Sequence, residues 1–300
     1  MFRRRLVRLL LVLAIFGVLL SHVDRGALIG YLRDLDAKFL VAMLAVNAIL
    51  LWASSWRWFW IATAAGVRAP LSDFVRATWL SWAVSEFGPS LVFGEWARFW
   101  RLRMCADPLR LATSQFVDRL SAYLGLVALA MVSASWYFGS SEGGIDPRPA
   151  AALAAVGAVG GVMVTLLLRR FRGTLKRDIG SIGVLQNLLV RPTHYGLSLL
   201  TNLLFTANFV LSAMAVGCDA SLWSLFCLAP LVLLGAGSLP SLVSDWGKRE
   251  AAATIALTQI GLDPAQSLAI SVVYGGMHLV SALPGLLIIT GDHPARPDAG

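Results

Sequence analysis

Residues Glu86 to Arg103, Glu-Phe-Gly-Pro-Ser-Leu-Val-Phe-Gly-Glu-Trp-Ala-Arg-Phe-Trp-Arg-Leu-Arg, set carboxylates and arginines inside an otherwise very apolar chain. The stretch is too charged for lipid and too apolar for water, and Gly88, Pro89 and Gly94 are helix breakers within it. Backbone freed by a break at membrane depth has to be buried in protein or line a wet cavity. A broken, re-entrant hairpin over about 71–105 meets both demands.

The surroundings of that stretch fix the class. Apolar residues make up 57% of the chain, charged residues 14%, and the mean hydropathy is +0.71 with 11 tryptophans, more than a soluble core requires. An all-α polytopic membrane protein follows. At about 20 residues per span, its 300 residues allow about six transmembrane helices plus two re-entrant elements and no sizeable soluble domain. The net charge of +8 is not a nucleic-acid signal, because the basic residues fall in short clusters beside apolar runs, as orientation signals do. Cys105, Cys218 and Cys227 lack CxxC spacing and are odd in number, so neither a disulfide framework nor a metal site is expected, and no cofactor is implied.

In chain order, Arg3, Arg4, Arg5 and Arg8 precede the apolar run Leu9 to Leu20, read as an uncleaved first span with a cytoplasmic N-terminus. Phe39 to Ala62 is the second span and ends in Trp52-Ala-Ser-Ser-Trp56-Arg57-Trp58-Phe59-Trp60. That aromatic run is read as an interfacial belt with Arg57 snorkelling to headgroups, the alternative being that Arg57 contacts a phosphate. Leu111 to Phe138 is a span carrying Asp118 and Arg119 in its first turns. Sequence neighbours do not face each other on a helix, so each of the two is expected to find a partner on another element. Ala150 to Leu168, with Gly157 and Gly161 in GxxxG spacing, is a further span, followed by the basic cluster Arg169, Arg170, Arg172, Lys176 and Arg177. Residues 178–193 fit either an interfacial helix or a loop; Tyr195 to Gly217 and Ala265 to Thr290 are spans.

Pro89-Ser90-Leu91-Val92 recurs as Pro240-Ser241-Leu242-Val243, and its context recurs with it. Gly66 precedes Pro89 by 23 positions, Gly217 precedes Pro240 by 23, and at the same offset Arg98 falls opposite Arg249. Each copy runs on to an Asp-Pro, Asp107-Pro108 and Asp263-Pro264, that introduces another span. The organisation read from this is an N-terminal span and outer loop (1–37), a first membrane repeat (38–138), a linking span with a basic cytoplasmic loop (139–189), a second repeat (190–290, hairpin about 221–260) and a disordered tail (291–300). Two single crossings between the copies make the repeats inverted. The resulting topology places 17 Lys and Arg in the cytoplasm (residues 3–8, 68–110, 169–191 and 296) against 6 outside (25, 33, 38, 148, 248 and 249), with Arg57 and Arg119 in the membrane. Inverted repeats with broken helices meeting at mid-membrane are an architecture of alternating access, and the expectation is that the two hairpins meet with Arg98 facing Arg249.

The residues Pro89 with Gly94-Glu95-Trp96-Ala97-Arg98, Val117-Asp118-Arg119-Leu120 with Gly125-Leu126, and Pro240 with Gly247-Lys248-Arg249-Glu250-Ala251, Gly261 and Pro284-Gly285 carry a resemblance. Over nearly its whole length the chain resembles the transmembrane region of lysylphosphatidylglycerol synthase, a flippase-like family. Glu95 stands where that family more often has Asp, and Ser244-Asp245-Trp246 stands where small residues are usual. The full synthases carry a soluble aminoacyl-transferase domain after the membrane region. With the chain ending at Gly300, the resemblance implies lipid translocation and not aminoacylation.

Three functions compete. The first is a flippase-like transporter of an anionic or aminoacylated phospholipid or an isoprenoid-type lipid. Its substrate-binding candidates are Arg98, Arg119, Arg249, Glu95, Asp118, Glu250, Arg57 and Glu86, and its hairpin breaks are Gly88, Pro89, Gly94, Pro240 and Gly247. The arginines either hold an anionic headgroup or satisfy nearby carboxylates. The second is a membrane-embedded headgroup enzyme using paired carboxylates such as Glu86 with Glu95 or Asp245 with Glu250; His22, His194, His278 and His293 are scattered, and neither HExxH nor GxSxG occurs. The third is a non-catalytic partner of a lipid- or glycan-synthesising enzyme. A prokaryotic inner membrane with both termini cytoplasmic is the expected location.

Overall fold

The structure, a computed structural model, describes residues 24–87, 91–139, 192–237 and 247–291. The expected first span at 9–20, the span at 150–168, the basic cluster 169–177, residues 178–191, the tail from 292, and Gly88, Pro89, Pro240 and Asp245 lie outside the described residues.

Among the described residues the chain forms nine helices and no strand. They are α1 (Arg25–Arg33), α2 (Ala37–Ala64), α3 (Leu71–Phe87), α4 (Leu91–Leu102), α5 (Pro108–Gly139), α6 (Pro192–Ala215), α7 (Leu222–Gly237), α8 (Lys248–Thr258) and α9 (Pro264–Gly291). Four contain stretches long and apolar enough to cross a membrane: Ala37–Ala64, Pro108–Tyr137, His194–Ala215 and Pro264–Ile288. The protein is an all-helical, polytopic integral membrane protein.

Among the described residues the helices from α2 on run long, short, short, long twice. In α2 to α5 the lengths are 28, 17, 12 and 32 residues, and in α6 to α9 they are 24, 16, 11 and 28. The local geometry at the joints recurs too. Gly66 adopts φ +92° and Gly217 φ +71°, a left-handed turn that a Cβ would strain. At the first, Gly66 N–H donates to Thr63 O and Val67 N–H to Ala62 O; at the second, Gly217 N–H donates to Met214 O and Cys218 N–H to Ala213 O. This is one helix stop made twice, in which the left-handed residue folds the next amide back onto the last free carbonyls. The second long helix of each copy starts alike. The Asp107 carboxylate accepts from the amides of Leu109 (3.0 Å) and Arg110 (3.2 Å), and that of Asp263 from Ala265 (3.1 Å), with a proline in the first helical position of both.

The described residues gather into two compact units. One contains residues 24–47, 127–139, 203–237 and 247–281; the other contains 48–87, 91–126, 192–202 and 282–291. In the first, α1 packs Ala27, Leu28 and Tyr31 against Ala265 and Leu268 of α9. Buried amides also bind across α2, α6 and α9: Asn208 donates to Asn47 Oδ1 at 2.6 Å, and Asn47 donates to Ser281 Oγ at 2.9 Å. Side-chain bonds of this kind hold spans together where lipid offers no hydrophobic drive. In the second unit, Trp58, Ala62, Val67, Phe74, Ala77, Leu102, Cys105 and Leu111 form a core shared by α2, α3, α4 and α5.

Gly94 corrects an expectation. It does not break a helix but lies inside α4, buried where α4 crosses α3. A Cβ built there would sit 2.8 Å from the Ser81 carbonyl oxygen and closer still to Ser85 Oγ. The residue is glycine because two backbones touch, not because the chain turns. Gly247 does mark a helix start, at φ +89° immediately before α8.

Gly94→Ala is therefore expected to lower thermal stability in detergent by about 1–3 kcal/mol, the usual cost of overpacking. Gly196→Ala, in a helix with no neighbouring atom within 4 Å of its Cβ, is expected to leave stability unchanged or raise it slightly. Equal melting temperatures for wild type and Gly94→Ala would contradict the close crossing.

Candidate functional site

The second unit holds a network of charged side chains from three helices. Asp118 of α5 is 1% exposed, and a carboxylate so placed needs partners that replace its water. It has two: Arg57 Nε of α2 donates to Oδ1 at 2.8 Å, and Arg98 Nη2 of α4 donates to Oδ2 at 3.1 Å. Arg57 Nη1 also donates to Thr201 Oγ1 of α6 at 2.8 Å. Arg98 reaches Glu95, one helical turn back, at 3.5 Å, and its guanidinium lies 3.9 Å from the centre of the Trp58 ring. Glu95 in turn accepts from Arg119 Nε at 2.7 Å and from Arg119 Nη2, while Gln115 Nε2 donates to the Glu95 carbonyl at 3.2 Å.

The network is graded in depth. Asp118, Arg57 and Arg98 are buried, Glu95 is half-buried, and the Arg119 side chain is 54% exposed. Arginines outnumber carboxylates among the five residues. Arg98 Nε has no hydrogen-bond partner among the described residues. An orphan donor of that kind is uncommon in a buried guanidinium.

α4 delivers these side chains by being polar on its inner face. Gly94, Ala97, Arg98 and Arg101 are buried, whereas Phe93, Trp96 and Trp100 are exposed, with the two indoles stacked at 5.2 Å. Spacings of three, four and seven put each set on one helical face. The charged face meets protein and the aromatic face is turned away from it. Arg101 anchors the inner face further by donating to Asp73 of α3 at 3.3 Å.

Five of the residues singled out from sequence, Arg57, Glu95, Arg98, Asp118 and Arg119, come together here. Asp118 and Arg119 do take partners on other helices, Asp118 from α2 and α4 and Arg119 from α4. Arg57 corrects an expectation, because it does not snorkel. The Asp118 carboxylate and the Thr201 hydroxyl satisfy it inside the protein, which spares both charges an unpaired burial. Trp52 and Trp60 are exposed as belt residues are, while Trp58 is fully buried under Arg98. Glu86 lies half-buried in the last turn of α3. Thr201, Trp58 and the Asp73–Arg101 pair escaped the sequence reading. Nothing in a span marks which hydroxyl or indole faces inward.

Arg249 and Glu250 belong to the other unit and pair with each other. Arg249 Nη2 donates to Glu250 Oε1 at 2.8 Å and Arg249 Nε to Ser271 Oγ at 3.2 Å; Ser271 Oγ donates to the same carboxylate at 3.1 Å. Glu250 Oε2 accepts the amide of Gly247, closing the first turn of α8. The guanidinium fits because residue 275 is glycine: a Cβ there would collide with Arg249 Nη2. Tyr274 lies 5.3 Å from the guanidinium and 4.6 Å from the ring of His278, which stacks on Phe205 at 5.7 Å. Gly275-Gly276 inside a long apolar span was the available signal for this pocket.

Asp118→Ala leaves two buried guanidiniums without their shared partner and is expected to cost about 3–5 kcal/mol, with Arg57→Ala comparable. Arg119→Ala, at the exposed edge, is expected to cost about 1 kcal/mol or less. A thermal-shift double-mutant cycle on Arg57 and Asp118 reads this out. The double variant should lose clearly less than the sum of the two single losses, and strict additivity would contradict the pair.

The family described as Lysylphosphatidylglycerol synthase TM region matches residues 5–285. Nothing among curated proteins or solved structures matches the chain. A match of that extent spans both copies of the repeat and both charged groups, and the chain belongs to the lysylphosphatidylglycerol synthase transmembrane-region family.

Proposed function

We propose that the protein translocates a phospholipid with an anionic phosphate between leaflets, and that the Arg57, Glu95, Arg98, Asp118 and Arg119 network receives the headgroup. Family membership suggests a function connected with membrane lipids. The observation that carries the finer reading is the guanidinium cluster whose deepest arginine, Arg98, has an Nε–H with no partner among the described residues while its outermost, Arg119, is exposed. Guanidinium binds phosphate through two parallel hydrogen bonds, and the Glu95 carboxylate that now engages Arg98 and Arg119 is the group a phosphate would displace. Glu95 and Asp118 also offer carboxylates to the ammonium of an aminoacylated headgroup. A graded series of partners, from an exposed cation to buried ones, lets a headgroup exchange one charged contact for the next without entering hydrocarbon unpaired.

On this reading the chain is a transporter and not an enzyme. Purified protein incubated with a lipid extract should yield no new lipid species by mass spectrometry.

The direct test is translocation in proteoliposomes. Fluorescent phosphatidylglycerol, with dithionite reducing only the outer-leaflet dye, should become fully accessible with wild type. With Arg119→Gln it should remain near the protein-free level. Arg119 is exposed, so the variant is expected to fold. Wild-type kinetics in this variant would remove the network from the transport path.

A further inference from the structure

Arg98 is held by an aromatic face as well as by carboxylates. Its guanidinium lies 3.9 Å from the centre of the Trp58 ring, and Trp58 is fully buried. The indole is itself locked from two sides. Its Nε1–H donates to Ser114 Oγ at 3.3 Å, and the Phe74 ring meets it at 78° with centres 4.8 Å apart. The Ser114 hydroxyl gives its one proton to the Leu111 carbonyl at 2.7 Å, so only its lone pairs are left for the indole. An N–H so matched cannot turn away without leaving a buried donor unsatisfied. Ser114 of α5 thus fixes the ring on α2, and the ring fixes the surface on which the α4 guanidinium rests.

Arg98 is not drawn equally to its two carboxylates. Asp118 is engaged at 3.1 Å, whereas both Glu95 oxygens stand 3.5 Å from Arg98 Nη1, at the outer limit of a hydrogen bond. Ion-paired hydrogen bonds ordinarily close to about 2.7–2.9 Å. Glu95 makes its close contacts with Arg119 instead. A phosphodiester spreads one charge over two terminal oxygens, the same form as the Glu95 carboxylate, and can stand in its place at Nη1. A cation that is rigidly held yet loosely paired favours such an exchange. Little is lost on leaving Glu95, and no side-chain freedom is lost on meeting the phosphate.

We propose that Trp58 is a positioning residue of the headgroup site: anchored by Ser114, it holds Arg98 off Glu95 so that a phosphodiester can exchange with the Glu95 carboxylate. This role rests on the reading that the network receives the headgroup. The indole face supplies part of the charge stabilisation that a closer Glu95 would otherwise give. Without the ring, Arg98 is free to close on Glu95, one turn back on its own helix, and the headgroup then has to break a full ion pair. Removing the Glu95 charge should therefore cancel the effect of removing the ring, which it could not do if the ring served packing alone.

Initial rates of phosphatidylglycerol translocation by the full chain in phosphatidylcholine proteoliposomes, read by dithionite bleaching against the mole fraction of phosphatidylglycerol, test this. Trp58→Leu is expected to raise the half-saturating fraction about tenfold, the factor of a partly desolvated cation–π contact, with the maximal rate unchanged. A variant that merely folds less well lowers the maximal rate and leaves half-saturation where it was. Trp58→Phe keeps a ring but no N–H, and Ser114→Ala keeps the indole but releases it; each should raise the half-saturating fraction about threefold. Trp58→Leu combined with Glu95→Gln should lie within about twofold of Glu95→Gln alone. Wild-type half-saturation in Trp58→Leu, or a double variant as weak as Trp58→Leu, overturns the role. Should Trp58→Leu fail to insert, wild-type half-saturation in both Trp58→Phe and Ser114→Ala overturns it. Loss of translocation in Arg119→Gln beside wild-type behaviour of the Trp58 variants refutes the positioning role alone, whereas wild-type kinetics in Arg119→Gln refutes the transport reading beneath it.

Discussion

One buried carboxylate sets the arrangement of the charged unit. Asp118, on a long apolar helix, cannot stay ionised in a low-dielectric interior without charge-matched donors. Arg57 and Arg98 supply them from two other helices, one to each carboxylate oxygen. Once those guanidiniums are inside, they impose their own demands. Arg57 takes the Thr201 hydroxyl, Arg98 lies on the Trp58 face, and Trp58 donates to Ser114 Oγ at 3.3 Å. Desolvation of one group thus orders side chains on α2, α4, α5 and α6.

Such a network would be hard to reach if the helices stood at ordinary separation. Gly94 brings the backbone of α4 onto α3, so the arginines of α4 point inward from a short helix whose other face is tryptophan and phenylalanine. Gly275 does the same service in the other unit, where it vacates the space filled by the Arg249 guanidinium. In both places the small residue serves the charged one. A membrane protein gains little hydrophobic energy from helix contact, so close backbone approach and internal polar bonds carry the packing.

The two charged groups differ in a way that bears on function. Arg249, Glu250 and Ser271 form a compact set in which the carboxylate is fully buried and each of its oxygens accepts a hydrogen bond. The Arg57 to Arg119 network is larger, has more arginines than acids, and reaches the exposed edge. The first arrangement is closed on itself and also caps α8; on the proposed function the second is where partners are exchanged.

The sequence by itself determined the class, the order of the described helices and most of the charged residues that come together. Composition and run length dictate helices in a membrane, and glycine at 66 and 217 with Asp-Pro at 107 and 263 dictates where they stop and start, because those are local backbone effects. Charges in apolar spans are costly enough to mark themselves, which is why Arg98, Asp118, Arg119 and Glu95 were legible. Only the tertiary structure decided the partners. Whether Arg57 reaches headgroups or Asp118 depends on which helix stands beside it, and whether Gly94 breaks a helix or admits a neighbour depends on the distance to Ser81. Thr201, Trp58 and Ser271 are ordinary residues for a span, so their roles exist only through packing. Sequence fixes the cost of a buried charge, and the fold fixes which atoms meet it.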